Sequence, residues 1–311
     1  MTQCVACGAD AVRDWRTVRS FDGRAANATY LLRRCDECGT AVTEGRSPAE
    51  AHRLHTGGAY ASPSPAVDRI LEPLRRVGER ASLAAIGSLP PNAAVLDLGA
   101  GDGRMLRMLK RHGFAVSGVE PFAPTADSGL GIERTTLEDA DVPPESADVV
   151  LLWHVLEHLE KPERALTVAS RALRRDGRLV VSVPSIDSLQ ARVGGGRWFH
   201  LDVPRHAVHF SRVGLARLLE RNGLRVVGMR SAVIDQNLLG MTQTLLNLLT
   251  VERNVGFRAL KGDHENVPRR DLAVTAIAAA PAAVAGTFAE TLAQLTGRSG
   301  AIVVHAVRET A

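Results

Sequence analysis

The chain has 311 residues, 45% of them hydrophobic and 23% charged, which supplies a sizeable core and excludes disorder or a collagen-like repeat. The formal net charge is +4, without a basic block, and aromatics make up 4%, which argues against nucleic acid as a partner. The opening residues lack the charged and apolar regions of an export signal, so a cytoplasmic protein is expected.

All four cysteines lie near the start, as Cys4-Val-Ala-Cys7 and Cys35-Asp-Glu-Cys38. Two such pairs, each turning at a following glycine (Gly8, Gly39), offer four soft ligands for a structural Zn2+ with no open coordination position. Residues 28–34 read as a strand leading into the second pair. Residues 1–58 total only +1, so this zinc-ribbon module is expected to serve packing or substrate recognition rather than phosphate binding.

Residues 66–87 carry Val67, Ile70, Leu71, Leu74, Val77, Leu83 and Ile86 at helical spacing. Pro90-Pro91 breaks the chain. A strand then leads through Asp97 into Gly99-Ala-Gly101-Asp-Gly103 and a further helix. Such a loop brings backbone N–H groups close to a ligand. The next strand ends in Glu120, placed to accept the two hydroxyls of a ribose. The third glycine of the dinucleotide fingerprint and the Lys-Ser/Thr of a P-loop are both missing, which argues against those readings. Histidines cluster in 198–211, WFHLDVPRHAVHFS, after a glycine run.

Together, VLDLGAGDG, the acid of SGVEP, ADVVLLWHVLEHL and GRLVVSVPS resemble the class I S-adenosylmethionine-dependent methyltransferases, over residues 59–231 and a last strand at 301–308. The resemblance implies an α/β fold with a Rossmann-like, doubly wound, seven-stranded sheet, in which 59–311 form the methyltransferase domain. It implies S-adenosyl-L-methionine as cofactor, with Gly99 and Gly101 along its methionine portion and Asp97 near its ammonium. Glu120 would hold the ribose, Pro121 and Phe122 would flank the adenine, and Leu137 would lie on its other side. Trp153 and His154 would face the sulfonium, and Tyr60 would close over the cofactor.

Methyl transfer needs an aligned acceptor and a proton acceptor, and His206, His154 and His209 are the candidates for the latter. His158, after Glu157, reads as structural. The strand in ADVVLLWHVLEHL ends in Trp153-His154-Val155 and lacks the Asn/Asp-Pro-Pro-Tyr/Phe of enzymes that methylate base or amide nitrogens. The four-cysteine module, this domain and WFHLDVPRHAVHFS together resemble methyltransferases of sugar, polysaccharide and secondary-metabolite biosynthesis, which implies O-methylation of a small molecule in secondary-metabolite, sugar or lipid biosynthesis. Sugar-nucleotide C-methylation and a zinc-ribbon RNA methyltransferase are the alternatives. Residues 232–300, between the last two strands, are apolar and are expected to form a helical cap over the acceptor. A homodimer face and contact with a membrane surface are the alternative uses of this insertion.

Overall fold

The computed structural model describes residues 3–21, 28–47, 65–123, 129–231, 234–262 and 267–309. The N-terminal part pairs β1 (Val12–Arg19), β2 (Thr29–Cys35) and β3 (Ala41–Thr43) in an antiparallel sheet. Then come α1 (Pro65–Ile86), β4 (Ala94–Leu98), α2 (Arg104–Arg111), β5 (Ala115–Val119), β6 (Ile132–Glu133) and β7 (Ala147–Trp153). They are followed by α3 (Pro162–Ala172), β8 (Leu173–Pro184), α4 (Leu189–Gly194), β9 (Val208–His209), α5 (Arg212–Arg221) and β10 (Leu224–Arg230). The chain ends with α6 (Ile234–Leu249), α7 (Val255–Leu260), α8 (Arg269–Leu295) and β11 (Ala301–Arg308).

The large sheet has seven strands in the order β10-β11-β8-β7-β4-β5-β6. Strands β4 to β8 are parallel, and β11 runs antiparallel between β8 and β10. Val149 to Leu152 are at most 2% exposed, the near-continuous apolar run of a parallel strand covered on both faces. Alternation then sorts the core. Leu96, Val150, Leu152 and Val181 pack on one face, while Val95, Val149, Leu151 and Val180 pack on the other with Ala85 and Ile86 of α1. This arrangement leaves the carboxyl ends of β4, β5, β7 and β8 along one edge, where such sheets bind ligands.

The boundary expected between 58 and 59 falls outside the described residues, and the two parts it separates share one structure. β9 completes the small sheet by pairing Ala41 with His209 and Val42 with Val208. Cys4, Cys35, Cys38 and Val42 pack in the same core as Phe210, Leu215 and Leu219. Ser211 accepts from the Gly214 N–H at 2.8 Å, capping α5, and donates to the Cys38 carbonyl. The N-terminal module is thus built into the larger domain.

The stretch between β10 and β11 is helical, as expected. α6 and α8 pack together, with Gly286 so close to Thr242 that a Cβ there would meet its hydroxyl at 3.0 Å. Gln190 of α4 ties both down, donating to the Asn237 carbonyl at 2.6 Å and to Glu290 at 2.8 Å. The outer face of α8 exposes Ile277, Val284, Phe288 and Leu295. By length and composition α8 is apolar enough to cross a membrane.

Candidate functional site

The four cysteine sulfurs lie within 4.8 Å of one another, with Cys4–Cys38 and Cys7–Cys35 each at 3.6 Å, and all four are free thiols. Ligands ~2.3 Å from a tetrahedral zinc stand about 3.8 Å apart, so the donor set fits that ion. Each pair forms the same tight turn. Gly8 donates to the Cys4 carbonyl at 2.8 Å and Gly39 to the Cys35 carbonyl at 2.9 Å, with φ of 79° and 78°. A side chain would be strained at either glycine.

At the ligand edge of the large sheet, Gly99, Gly101 and Gly103 all take positive φ between β4 and α2. A Cβ on Gly99 would stand 2.4 Å from Val155, so only glycine lets the loop lie this close to the end of β7. Glu120, at the end of β5, is 5% exposed and accepts from the Gly101 and Phe122 N–H groups, each at 3.0 Å. One carboxylate therefore fixes the glycine loop to the turn containing Pro121 and Phe122, and its remaining lone pairs can accept further donors.

Asp97 lies beside this carboxylate. It is 2% exposed, and its Oδ1 finds no hydrogen-bond partner among the described residues. Burial, with a smaller contribution from the charge of Glu120, raises its pKa to about 7. A buried carboxylate without a partner is costly, and a cationic ligand group here would supply the missing partner. A buried carboxyl short of a partner and a second carboxylate that holds a glycine loop fit a ligand with one ammonium and one diol, as S-adenosyl-L-methionine has. Leu137 is half-buried and packs against the core on the Leu96 side. Tyr60 lies outside the described residues.

The end of β7 is held in an uncommon conformation. His154 has φ 57°, in the left-handed region that non-glycine residues seldom occupy, and its N–H donates to the Ser182 carbonyl at 2.8 Å. Its Nδ1 is 3.0 Å from Glu157 Oε1, and its Nε2 is 3.4 Å from the Ser182 hydroxyl. Because a carboxylate only accepts, Nδ1 carries the proton and Nε2 presents its lone pair. The ring is 19% exposed, whereas the Glu157 side chain beneath it is 2% exposed. Trp153, half-buried, packs with Val95 and Val149 on the Ala85 side of the sheet.

His206 and His209 sit differently from His154. His209 is a strand residue in the small sheet, 3% exposed, with Nε2 2.9 Å from the Thr43 hydroxyl. Burial holds its pKa down at about 3. His206 is 7% exposed, donates from Nδ1 to the His200 carbonyl at 2.8 Å, and packs edge-on against His158. Its pKa is also pushed well below the ordinary value, chiefly by burial. Two of the three expected proton acceptors, His206 and His209, are thus enclosed, because β9 joins their segment to the small sheet. Glu157 is the residue that the sequence reading left out of the site. Its signal was the spacing His154-x-x-Glu157, which places a carboxylate one turn after a histidine at a strand end.

Beyond Pro184, where β8 ends and the chain leads toward α4, a cavity of about 820 Å3 opens against the small sheet. It is bordered by Ser185, Ile186 and Asp187 on the strand side and by Trp15 and Leu32 on the other.

A sequence profile of a family described as "Methyltransferase domain" matches residues 68–228. No curated protein matches. Among solved structures, a chain from the complex between the Haloferax volcanii Trm112 methyltransferase activator and its methyltransferase aligns at 17% identity and TM-score 0.51, over 82% of this chain and 98% of that one. The 1,6-didemethyltoxoflavin-N1-methyltransferase of Burkholderia thailandensis aligns at 17% identity and TM-score 0.48, over 87% and 96% of the two chains. Similarity at this level is similarity of fold.

Proposed function

The chain belongs to the methyltransferase-domain family, and we propose that it transfers a methyl group from S-adenosyl-L-methionine to a hydroxyl of a small-molecule acceptor. The observation that carries this reading is the pairing of His154 with Glu157 at the carboxyl end of β7, next to the glycine loop that Glu120 holds. When bound, the cofactor supplies a methyl on an already activated sulfonium, so the protein needs only to align the acceptor and take its proton.

This chain's residues divide that work. Glu120 accepts the ribose hydroxyls while keeping the glycine loop in register. Asp97 accepts from the ammonium, and Pro121 and Phe122 border the adenine. Leu137 closes the adenine side, with Tyr60 assigned to cover the cofactor. His154 takes the acceptor's proton at Nε2, while Glu157 fixes the ring and stabilises the cation that forms. His206 and His209 hold the segment beneath this pair. Cys4, Cys7, Cys35 and Cys38 hold a structural Zn2+ that closes the two turns of the small sheet. α6 and α8 cover the site from the insertion.

The test is methyl transfer from labelled S-adenosyl-L-methionine into separated fractions of a cell extract. Label in the low-mass fraction, lost in His154→Gln, is the expected result. Label confined to RNA or protein would overturn the acceptor class.

A further inference from the structure

The cavity beyond Pro184 is the least expected feature of the molecule, because five arginines from five separate elements converge on it. Arg16 comes from β1, Arg34 from β2, Arg192 from α4, Arg212 from the start of α5, and Arg298 from the segment before β11. The one acid in the lining is Asp187, and it is already engaged. Its Oδ2 accepts from the Arg212 N–H at 3.0 Å, and its Oδ1 stands 4.0 Å from Arg34. Among the described residues, no carboxylate forms an ion pair with Arg16, Arg192, Arg212 or Arg298. Five guanidiniums around one concavity repel one another, and a single engaged carboxylate leaves most of that charge uncompensated.

Several of these groups are positioned before any ligand arrives. The Arg212 guanidinium lies 3.3 Å from both the Ser231 hydroxyl and the Gly297 carbonyl. Arg34 donates to the Gly39 carbonyl at 3.0 Å, at the second cysteine turn. Arg16 and Arg34 both stack on the Trp15 ring, at 4.8 and 5.1 Å from its centre. Fixed guanidinium forks suit phosphate oxygens, and the Trp15 indole that carries two of them is itself part of the cavity wall. Trp198, Ile186 and Leu201 supply an apolar floor. A volume of about 820 Å3 exceeds what a lone phosphate needs.

We propose that this cavity binds the methyl acceptor and that the acceptor is a diphosphate-linked small molecule, its diphosphate on the arginines and its organic part on the floor of Trp198, Ile186 and Leu201. The proposal rests on the methyltransferase reading and gives the N-terminal module a role in it. β1 and β2 form one wall of the acceptor site, and the cysteine turns hold that wall in place.

The experiment is calorimetry on the full chain with three probes: inorganic pyrophosphate, UDP and S-adenosylhomocysteine. Pyrophosphate should bind saturably and more weakly as salt rises, and UDP should bind more tightly than pyrophosphate. In the double variant Arg16→Gln/Arg298→Gln, UDP affinity should fall at least tenfold, with S-adenosylhomocysteine affinity and melting temperature unchanged. If neither anion binds the wild type at low salt, or if the double variant binds UDP equally well, the proposal fails. It also fails if a short single-stranded RNA binds where UDP does not. Loss of S-adenosylhomocysteine binding alone, with UDP still bound, would count against the methyltransferase reading and not against the anion site.

Discussion

Asp97 sets a pH dependence that can be measured directly. In the free protein its carboxyl is protonated up to about pH 7, because burial and the neighbouring Glu120 disfavour a second charge. An unfolded chain releases that proton near pH ~4. The native state therefore binds more protons between these values, and the free protein loses stability as pH rises from about 4 to about 7. Cofactor affinity should run the opposite way. An ammonium partner requires the ionised form, which is roughly one-eleventh of the population at one unit below the pKa and about ten-elevenths at one unit above it. S-adenosylhomocysteine should accordingly bind about tenfold more tightly at pH 8 than at pH 6, or ~1.4 kcal/mol, and level off above that. Calorimetry across this range tests the point with two controls. Asp97→Asn should give a weaker and nearly flat profile. Methylthioadenosine, which lacks the ammonium, should not gain affinity with pH. A flat wild-type profile, or a slope that persists in Asp97→Asn, would refute the pairing of Asp97 with the ammonium.

Further outcomes follow from the same geometry. Glu120→Ala should weaken S-adenosylhomocysteine binding by roughly 1.5–3 kcal/mol by calorimetry, since charge-assisted hydrogen bonds are lost. Gly99→Ala should cost about 1–3 kcal/mol in chemical denaturation, because φ is 89° and the added Cβ would meet Val155. The purified protein should contain one zinc per chain by metal analysis, and Cys35→Ser should lose it and melt at lower temperature. His154→Gln should lower turnover by about 10²–10⁴ with cofactor affinity intact. Equal losses in rate and binding would instead mark His154 as structural.

Much of the fold was legible in the sequence because its signals are local. The cysteine pairs with their glycines, the strand–glycine-loop–helix unit and the acid ending the next strand each span only a few residues. Backbone sterics and alternating burial act at that range. The seven-stranded sheet was implied by the resemblance those units carry, and the helical insertion by the long apolar stretch between the last two strands.

The site was decided at longer range. His154, His206 and His209 all follow the same kind of cue in the sequence, a histidine near the end of a strand or a glycine run. Val208 and His209 become the fourth strand of a sheet that begins at Val12, through pairing with Ala41 and Val42. That pairing buries His206 and His209, while His154 keeps a partly exposed ring over Glu157. The five arginines are likewise scattered from position 16 to position 298 and have no common motif. Periodicity along a chain records which face of an element is apolar. Which polar groups then lose water, and which meet across a cavity, depends on partners that only the packed chain brings together.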